Sequence, residues 1–406
     1  MATLLDRRRS SVRVDRSQTS IIRPVSATRR EFLTISAAAS VTLLTMPAVA
    51  PTPQNAGRLL GVMRLGGRDR QPPPLETLLS SGANARLFTD LSTLSETTLV
   101  IPNTRFFVRT ACPAAVPAGD DWSIEIGGLV ARPRSIALAS LRGLVQATGT
   151  HLIECSGNAD PTNFGLMSAA RWDGIPMAAL LERAGPLRHA RRVLVNGIDF
   201  ADRTPTSLPG ASWIFTRDEL EKTGAFLATR MNGAPLDRDH GAPARLVVPG
   251  WYGCTCIKWV KQVELVDDDV PATSQMREFA GRTHQEPGAT LARDFRPADI
   301  DHAAIPVRVE KWLIRDRVAY RVVGIVWGGA RPTNALQIRF NRDEPFVAVE
   351  DCPLPASTTT WSRWSHLWRP AAPGSYQIAL RIGDRAVRTR RLDRFFYARD
   401  VDIDEV

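Results

Sequence analysis

The sequence predicts an α+β domain followed by an all-β immunoglobulin-like sandwich, and two observations carry that expectation. Between about residues 100 and 266, short strand-like and helix-like segments mix without regular alternation, which argues for α+β over a doubly wound sheet. Beyond about residue 300 only strand patterns recur, separated by Pro and Gly turns over a length suited to a sandwich.

The first elements fall in order along the chain. Trp122 to Val130 (WSIEIGGLV) alternates as a half-buried strand does. Ile136 to Val145 places Leu138, Leu141, Leu144 and Val145 at helical spacing. Ile175 to Gly185 is a short helix with Pro176 near its start and Gly185 just past its end. Strand-like VLVNG (193–197) and RLVVPG (245–250) bracket another helix at Arg217–Lys222. In the C-terminal part Leu336, Ile338 and Phe340 alternate with polar residues, as do Tyr376, Ile378, Leu380 and Ile382. The expected organisation is a signal over 1–50, a Pro/Gly-rich arm over 51–95, a catalytic domain over 96–268, a linker over 269–300 and the sandwich over 301–400.

Length and composition agree with this plan. At ~150 residues per domain, 406 residues make two to three domains. A content of 44% hydrophobic and 23% charged residues excludes wholesale disorder, collagen-like repeats and coiled coils. No apolar run reaches the ~18 residues of a membrane span. Five cysteines make no disulfide scaffold and, being odd in number, leave one thiol outside any internal pair.

The net charge of +10 would ordinarily invite a nucleic-acid reading. Half of that excess lies in residues 1–50, where eight Arg stand against Asp6, Asp15 and Glu31. The other half is scattered without a dense block, so no nucleic-acid partner is expected. The N-terminal charge belongs to an address: TRREFL at 28–33, then uncharged Leu33 to Leu44, then Ala48-Val49-Ala50 as a small-residue cleavage pattern. Paired Arg followed by Phe-Leu resembles the twin-arginine class, which exports proteins already folded. A periplasmic, cofactor-bearing protein is the expectation, with no stable membrane span once the signal is removed.

The chemistry concentrates in two stretches. The first, His151 to Gly174, sets Cys155 after an apolar strand-like run and before Ser156-Gly157-Asn158. A thiolate at a strand end beside a Gly suits a metal ligand, although a lone Cys there is most often a small buried hydrophobe. The second, 228–264, contains Met231-Asn232-Gly233, Arg238-Asp239-His240-Gly241, Val248-Pro249-Gly250 and Lys258-Trp259. Together with the Cys-x-Gly-Asn block these motifs resemble the sulfite oxidase family of molybdenum enzymes. Phe106-Phe107-Val108-Arg109, Gly127 to Val130 and Gly210-Ala211-Ser212 add to the likeness. The C-terminal part, with Trp327-Gly328-Gly329 and Trp361 to Trp364, resembles the family's dimerisation domain. The likeness covers roughly residues 100–390 and is tightest up to 266.

The resemblance implies a molybdenum–molybdopterin cofactor with Cys155 as the protein ligand to the metal. A soft thiolate suits a redox metal, and binding would keep it deprotonated. It further implies that Phe107, Arg109, Gly157, Asn158, His240, Arg245, Gly253 and Lys258 line or hold the cofactor. Arg109 would stand beside a substrate oxyanion, which a planar guanidinium can grip through two oxygens. Arg245 and Lys258 would hold the pterin phosphate by charge-assisted bonds. Oxygen-atom transfer on a small substrate such as a sulfur oxyanion follows, with a separate electron-transfer protein such as a c-type cytochrome as partner and a homodimer as the implied assembly.

Three departures bear on the substrate. Ala159 and Asp160 stand where the family has arginines, Thr229 stands where it has a tyrosine near the metal, and Thr110-Ala111 replaces an Asn-His pair. Reduction of a sulfoxide-like compound in the same fold, or an exported module that keeps the fold without turnover, therefore stay open beside oxidation. Cys254-Thr255-Cys256 is spaced too closely for a relaxed disulfide and is read as structural. His151 and the tryptophans at 361, 364 and 368 are read as packing residues. No Cys-x-x-Cys-His occurs, so no covalent haem is expected in this chain. No HExxH motif supports a zinc hydrolase.

Overall fold

Sheets dominate the computed structural model, which describes residues 57–65, 73–114, 116–117, 121–159, 164–198, 211–387, 389, 392 and 398–406. The expected signal (1–50) and Gly210 lie outside the described residues. One five-stranded sheet is ordered β5 (Arg134–Ala137), β4 (Ser123–Gly128), β13 (Val260–Val266), β8 (Arg192–Gly197) and β9 (Ser212–Thr216). Its β4–β13 pair is parallel, and the other pairs are antiparallel. A second sheet runs β11 (Ala234–Pro235), β10 (Phe226–Met231), β7 (Met167–Pro176) and β6 (Gln146–Glu154), with β12 (Arg245–Val247) also pairing β10. A two-stranded ribbon joins β2 (Arg86–Leu87) to β3 (Val108–Arg109).

Helices are short and placed by local chemistry. In α1 (Met177–Ala184) the residues Met177, Leu180, Leu181 and Ala184 are buried, a helical stripe facing the core. Gly185 ends it at φ +63°, a left-handed cap that only Gly adopts without strain. Helix α2 (Arg217–Lys222) opens on a capping box in which Thr216 and Glu219 exchange side-chain and backbone hydrogen bonds. Residues 136–145 differ from expectation: Ile136 pairs with Ile124 in β5, and Leu138–Leu144 continues as a 3-10 helix with Leu141 as its one buried residue. Sheet pairing with β4 overrides the helical period there.

Two antiparallel four-stranded sheets make up the C-terminal part. One is β1 (Arg58–Arg64), β14 (Ala303–Ile314), β15 (Arg317–Trp327) and β18 (Ser362–Trp368). The other is β17 (Val347–Ala348), β16 (Leu336–Arg339), β19 (Gly374–Ile382) and β20 (Arg399–Ile403). Trp327, Trp361 and Trp364 are fully buried among them, and Phe340 stacks on Trp368 at 4.1 Å. The Pro/Gly-rich arm contributes more than a tether, since β1 completes a sheet edge and Leu87, Leu91 and Leu94 enter the core.

Residues 269–300, expected as a linker, carry α3 (Ser274–Glu278) and are fastened along their length. Thr273 caps α3 and donates its hydroxyl to the Ser212 carbonyl at 2.8 Å. Gln285 donates to the Arg296 carbonyl at 3.0 Å, and the Tyr252 amide to that of Ala298 at 2.9 Å. These bonds turn a polar stretch into a strap.

A side chain on Gly324 of β15 would overlap the Trp364 indole and the Ile305 carbonyl. Gly324→Ala is therefore expected to destabilise the protein by about 1–3 kcal/mol through overpacking. A lowered urea midpoint with unchanged slope would register it.

Candidate active site

The end of β6 sets the geometry. Ile153 and Glu154 finish the strand fully buried, and the chain then turns so that the Cys155 amide bonds the Leu166 carbonyl at 3.0 Å. The Asn158 amide returns to the Cys155 carbonyl at 2.8 Å, and the Gly157 amide points at Cys155 Sγ at 3.4 Å. Asn158 locks the turn by accepting from the Leu166 amide and donating to Glu154 Oε1. The second Glu154 oxygen accepts the Trp327 indole N–H at 2.8 Å. A buried carboxylate is thus satisfied from both sides, and through it the Cys155 turn is tied to β15.

Cys155 faces a cavity of about 780 Å³, part of it open to solvent. Of the residues singled out in the sequence, Phe107, Arg109, Cys155, His240, Arg245, Gly253 and Lys258 line it; Gly157 and Asn158 instead build the turn below. Burial pushes the Cys155 thiol up, and the Gly157 amide, Arg109 and Arg282 act against that rise. A metal cation is the natural further stabiliser of its thiolate.

Each basic residue is held differently. Arg109, at the end of β3, donates to the Ala83 carbonyl at 3.0 Å. Lys258 Nζ donates to the carbonyls of Thr110 and Asp239 at 2.5 and 2.8 Å and lies 4.4 Å from the Trp259 ring centroid. Thr110 takes φ +96°, a costly conformation for a β-branched residue, and lies where the sequence departs from the family's Asn-His pair. Arg245, in β12, is 5% exposed and donates to the His240 and Cys256 carbonyls, while its buried Nε has no partner among the described residues. Gly241, at φ +107°, lets these side chains converge, for a Cβ there would lie 2.9 Å from that of Arg245.

His240 is engaged inward. Its Nε2 meets the Phe106 carbonyl at 3.1 Å and its Nδ1 meets Asp237 Oδ2 at 2.5 Å. Both ring nitrogens are thus engaged by the protein. Burial raises the Asp237 carboxyl, but the hydrogen bonds and charge of His240 outweigh it, so Asp237 sits below the usual carboxylate range.

Cys254 and Cys256 both border the cavity. Burial pushes both thiols up, which keeps them protonated, and all five cysteines are free. Thr229 is not among the lining residues. His151 is tied between Thr148 and Thr359. Gln275, Phe279 and Arg282 escaped the sequence reading. The first two line the cavity from the strap, and nothing in that polar stretch marks it as part of a site.

The donor set fits a molybdenum–pterin group. Among the described residues no three His, Cys, Asp or Glu side chains gather as a metal cage, so Cys155 would serve as a single protein ligand beside sulfurs brought by the cofactor. The orphaned Arg245 Nε, with Lys258 on the same wall, offers donors to an anionic, oxygen-rich appendage.

Comparisons with known proteins point to the same kind of domain. Residues 112–274 match the oxidoreductase molybdopterin binding domain. Sulfite oxidase of Gallus gallus is 32% identical over 197 residues, 44% of this chain and 42% of that protein. Nitrate reductase [NADPH] of Beauveria bassiana is 32% identical over 161 residues, 36% of this chain and 18% of that protein. The chain thus spans less than half the length of the curated relatives it matches. The sulfane dehydrogenase SoxCD from Paracoccus pantotrophus shares the fold with a TM-score of 0.59 at 18% identity, over 86% of each chain. The fold and site define a molybdopterin-binding oxidoreductase domain. Residues 112–274 carry the molybdopterin-binding oxidoreductase domain that this chain shares with sulfite oxidases, and the cofactor that domain implies is molybdenum–molybdopterin.

Glu154→Leu would strand the Trp327 N–H and the Asn158 amide in the interior, and a loss of about 2–4 kcal/mol is expected, with Glu154→Gln milder because it keeps an acceptor. Chemical denaturation of the two variants makes the comparison. Because the Asp237 pKa is depressed on folding, its contribution is present above the unfolded value near ~4 and disappears as pH falls through the folded value. The stability gap between the wild type and Asp237→Asn should therefore be widest near neutrality and close towards pH ~3, as urea titrations across that range would reveal.

Proposed function

We propose that the protein is a periplasmic molybdenum-dependent oxidoreductase that transfers an oxygen atom on a small sulfur-containing anion. The observation that carries this reading is that Cys155 and the cations Arg109, Arg245 and Lys258 line one cavity. Sulfite stands as the simplest substrate: with water it yields sulfate, two protons and two electrons. The sulfane dehydrogenase whose fold this chain shares makes other reduced sulfur compounds equally apt.

When bound, the cofactor supplies a two-electron centre for oxygen-atom transfer. The chain's own residues do the rest. Cys155 furnishes a thiolate at a position fixed by the Glu154–Asn158 turn. Arg109, anchored on the Ala83 carbonyl, orients the substrate oxyanion and offsets its charge in a partly desolvated space. Phe107 and Phe279 narrow the cavity and exclude water. Arg245 and Lys258 hold the anionic end of the cofactor, and Asp239 and Thr110 keep the lysine in place through their carbonyls. Electrons leave to a separate redox protein such as a c-type cytochrome.

Export by the twin-arginine route rests on the Arg29-Arg30 signal. The two antiparallel four-stranded sheets after residue 300 support an immunoglobulin-like domain of the family's dimerising type, and a homodimer with it. Among the described residues no helix is long and apolar enough to cross a membrane.

Protein made in a cofactor-competent host is expected to contain molybdenum and to reduce an artificial acceptor with sulfite or thiosulfate. Cys155→Ser should lower turnover by at least about a hundredfold. Metal analysis and acceptor assays decide: equal, near-zero molybdenum in both proteins would overturn the proposal, and cofactor-loaded protein inert towards sulfite, thiosulfate, sulfoxides and nitrate would favour a non-catalytic module. Turnover with sulfoxides alone would favour the reductive reading.

A further inference from the structure

The turn below the metal-ligand thiol meets a cation that comes from elsewhere in the chain. An ideal Cβ on Gly157 would lie 3.1 Å from Arg282 Nη1 and 3.7 Å from Cys155 Sγ. The guanidinium and the sulfur are therefore no further apart than those two lengths laid end to end. Arg282 belongs to the strap after α3, beyond the residues 112–274 that match the molybdopterin-binding family.

Several bonds hold the strap in this position. Gln275 Nε2 donates to the Cys254 carbonyl at 2.5 Å. The Arg282 and Thr283 amides both return to the Phe279 carbonyl, at 3.0 and 2.9 Å. The Arg282 guanidinium carbon lies 5.6 Å from the centroid of the Phe279 ring, which itself lines the cavity. Arg282 is largely exposed, and among the described residues its guanidinium meets no carboxylate. Its charge thus stands beside the Cys155 turn, within reach of solvent.

We propose that Arg282 is a specificity-determining residue, the second cation of an oxyanion subsite beside Cys155 whose first cation is Arg109. Gly157, bearing no side chain, leaves the room that the Arg282 guanidinium needs beside the thiol. Two planar guanidinium groups near one thiol favour a small divalent oxyanion over a neutral sulfur compound of the same size.

This inference rests on the reading of the cavity as a substrate site, and two experiments separate their failures. With the holoenzyme, KM for sulfite and thiosulfate should rise about tenfold in Arg282→Ala and Arg282→Gln, and less in Arg282→Lys, while molybdenum content and the turnover of a neutral thioether hold. With the full chain from a host that makes no cofactor, sulfate should slow alkylation of Cys155 by iodoacetamide, followed by peptide mass. The sulfate concentration for half-protection should rise about tenfold in Arg282→Ala. Equal KM values and equal protection in wild type and variants would overturn the role of Arg282, as would a wild type that sulfate does not protect. If wild-type holoenzyme oxidises no sulfur compound but protection still depends on Arg282, the anion subsite stands and the proposed reaction falls.

Discussion

A buried carboxylate governs the placement of the reactive sulfur. Glu154 ends the strand that delivers Cys155, and its two oxygens are bound by Asn158 from the same turn and Trp327 from the C-terminal sheets. An ionisable group fully shielded from water is tolerable only when its hydrogen bonds are complete. The position of Cys155 is therefore coupled to the packing of strands more than a hundred residues away. Gly253 adds a steric condition, since a Cβ there would press on Ile153 and on the Glu154 carbonyl. Strand end, turn and opposing loop form one rigid unit, as a ligand that must hold a metal at a fixed point requires.

Around this unit the cavity divides into two parts by the way its cations are held. Arg245 and Lys258 are held by backbone carbonyls and lie against tryptophan rings, with Arg245 Nε left over as a donor. They are pre-set donors whose positions change little when an anion arrives. Arg109, on a short ribbon, lines the cavity, and Arg282, on the strap, lies against Phe279 and over Gly157. A fixed inner pair suits a resident cofactor, and an outer pair nearer solvent suits a substrate that comes and goes. The protonated thiols of Cys254 and Cys256 add soft, neutral lining without competing as ligands.

Much of the catalytic part was legible in the sequence because its signals are local. The short helix before Gly185 and the helix at Arg217–Lys222 carry their own caps. The Cys-x-Gly-Asn block and the Met231 to Lys258 motifs name most of the residues that line the cavity. Of the segment at 136–145, Leu138–Leu144 is helical but of the 3-10 kind, and Leu spacing cannot report that Ile136 is claimed by a neighbouring strand. His240 could be named but not its orientation, since which acceptor each ring nitrogen meets depends on Asp237 and on the distant Phe106 carbonyl.

By itself the sequence pointed to a molybdopterin-binding domain and marked Cys155 and the basic residues that share its cavity, since these rest on residue types at short fixed spacings that survive without knowledge of the whole fold. Only the tertiary structure decided that the arm supplies a sheet edge, that Glu154 is gripped from the C-terminal sheets, and that the polar stretch after residue 268 lines the cavity with Gln275 and Phe279 and sets Arg282 over Gly157. Those contacts join segments far apart in the chain. They depend on steric fit and on hydrogen bonds completed in the interior, and neither leaves a pattern in the local order of residues.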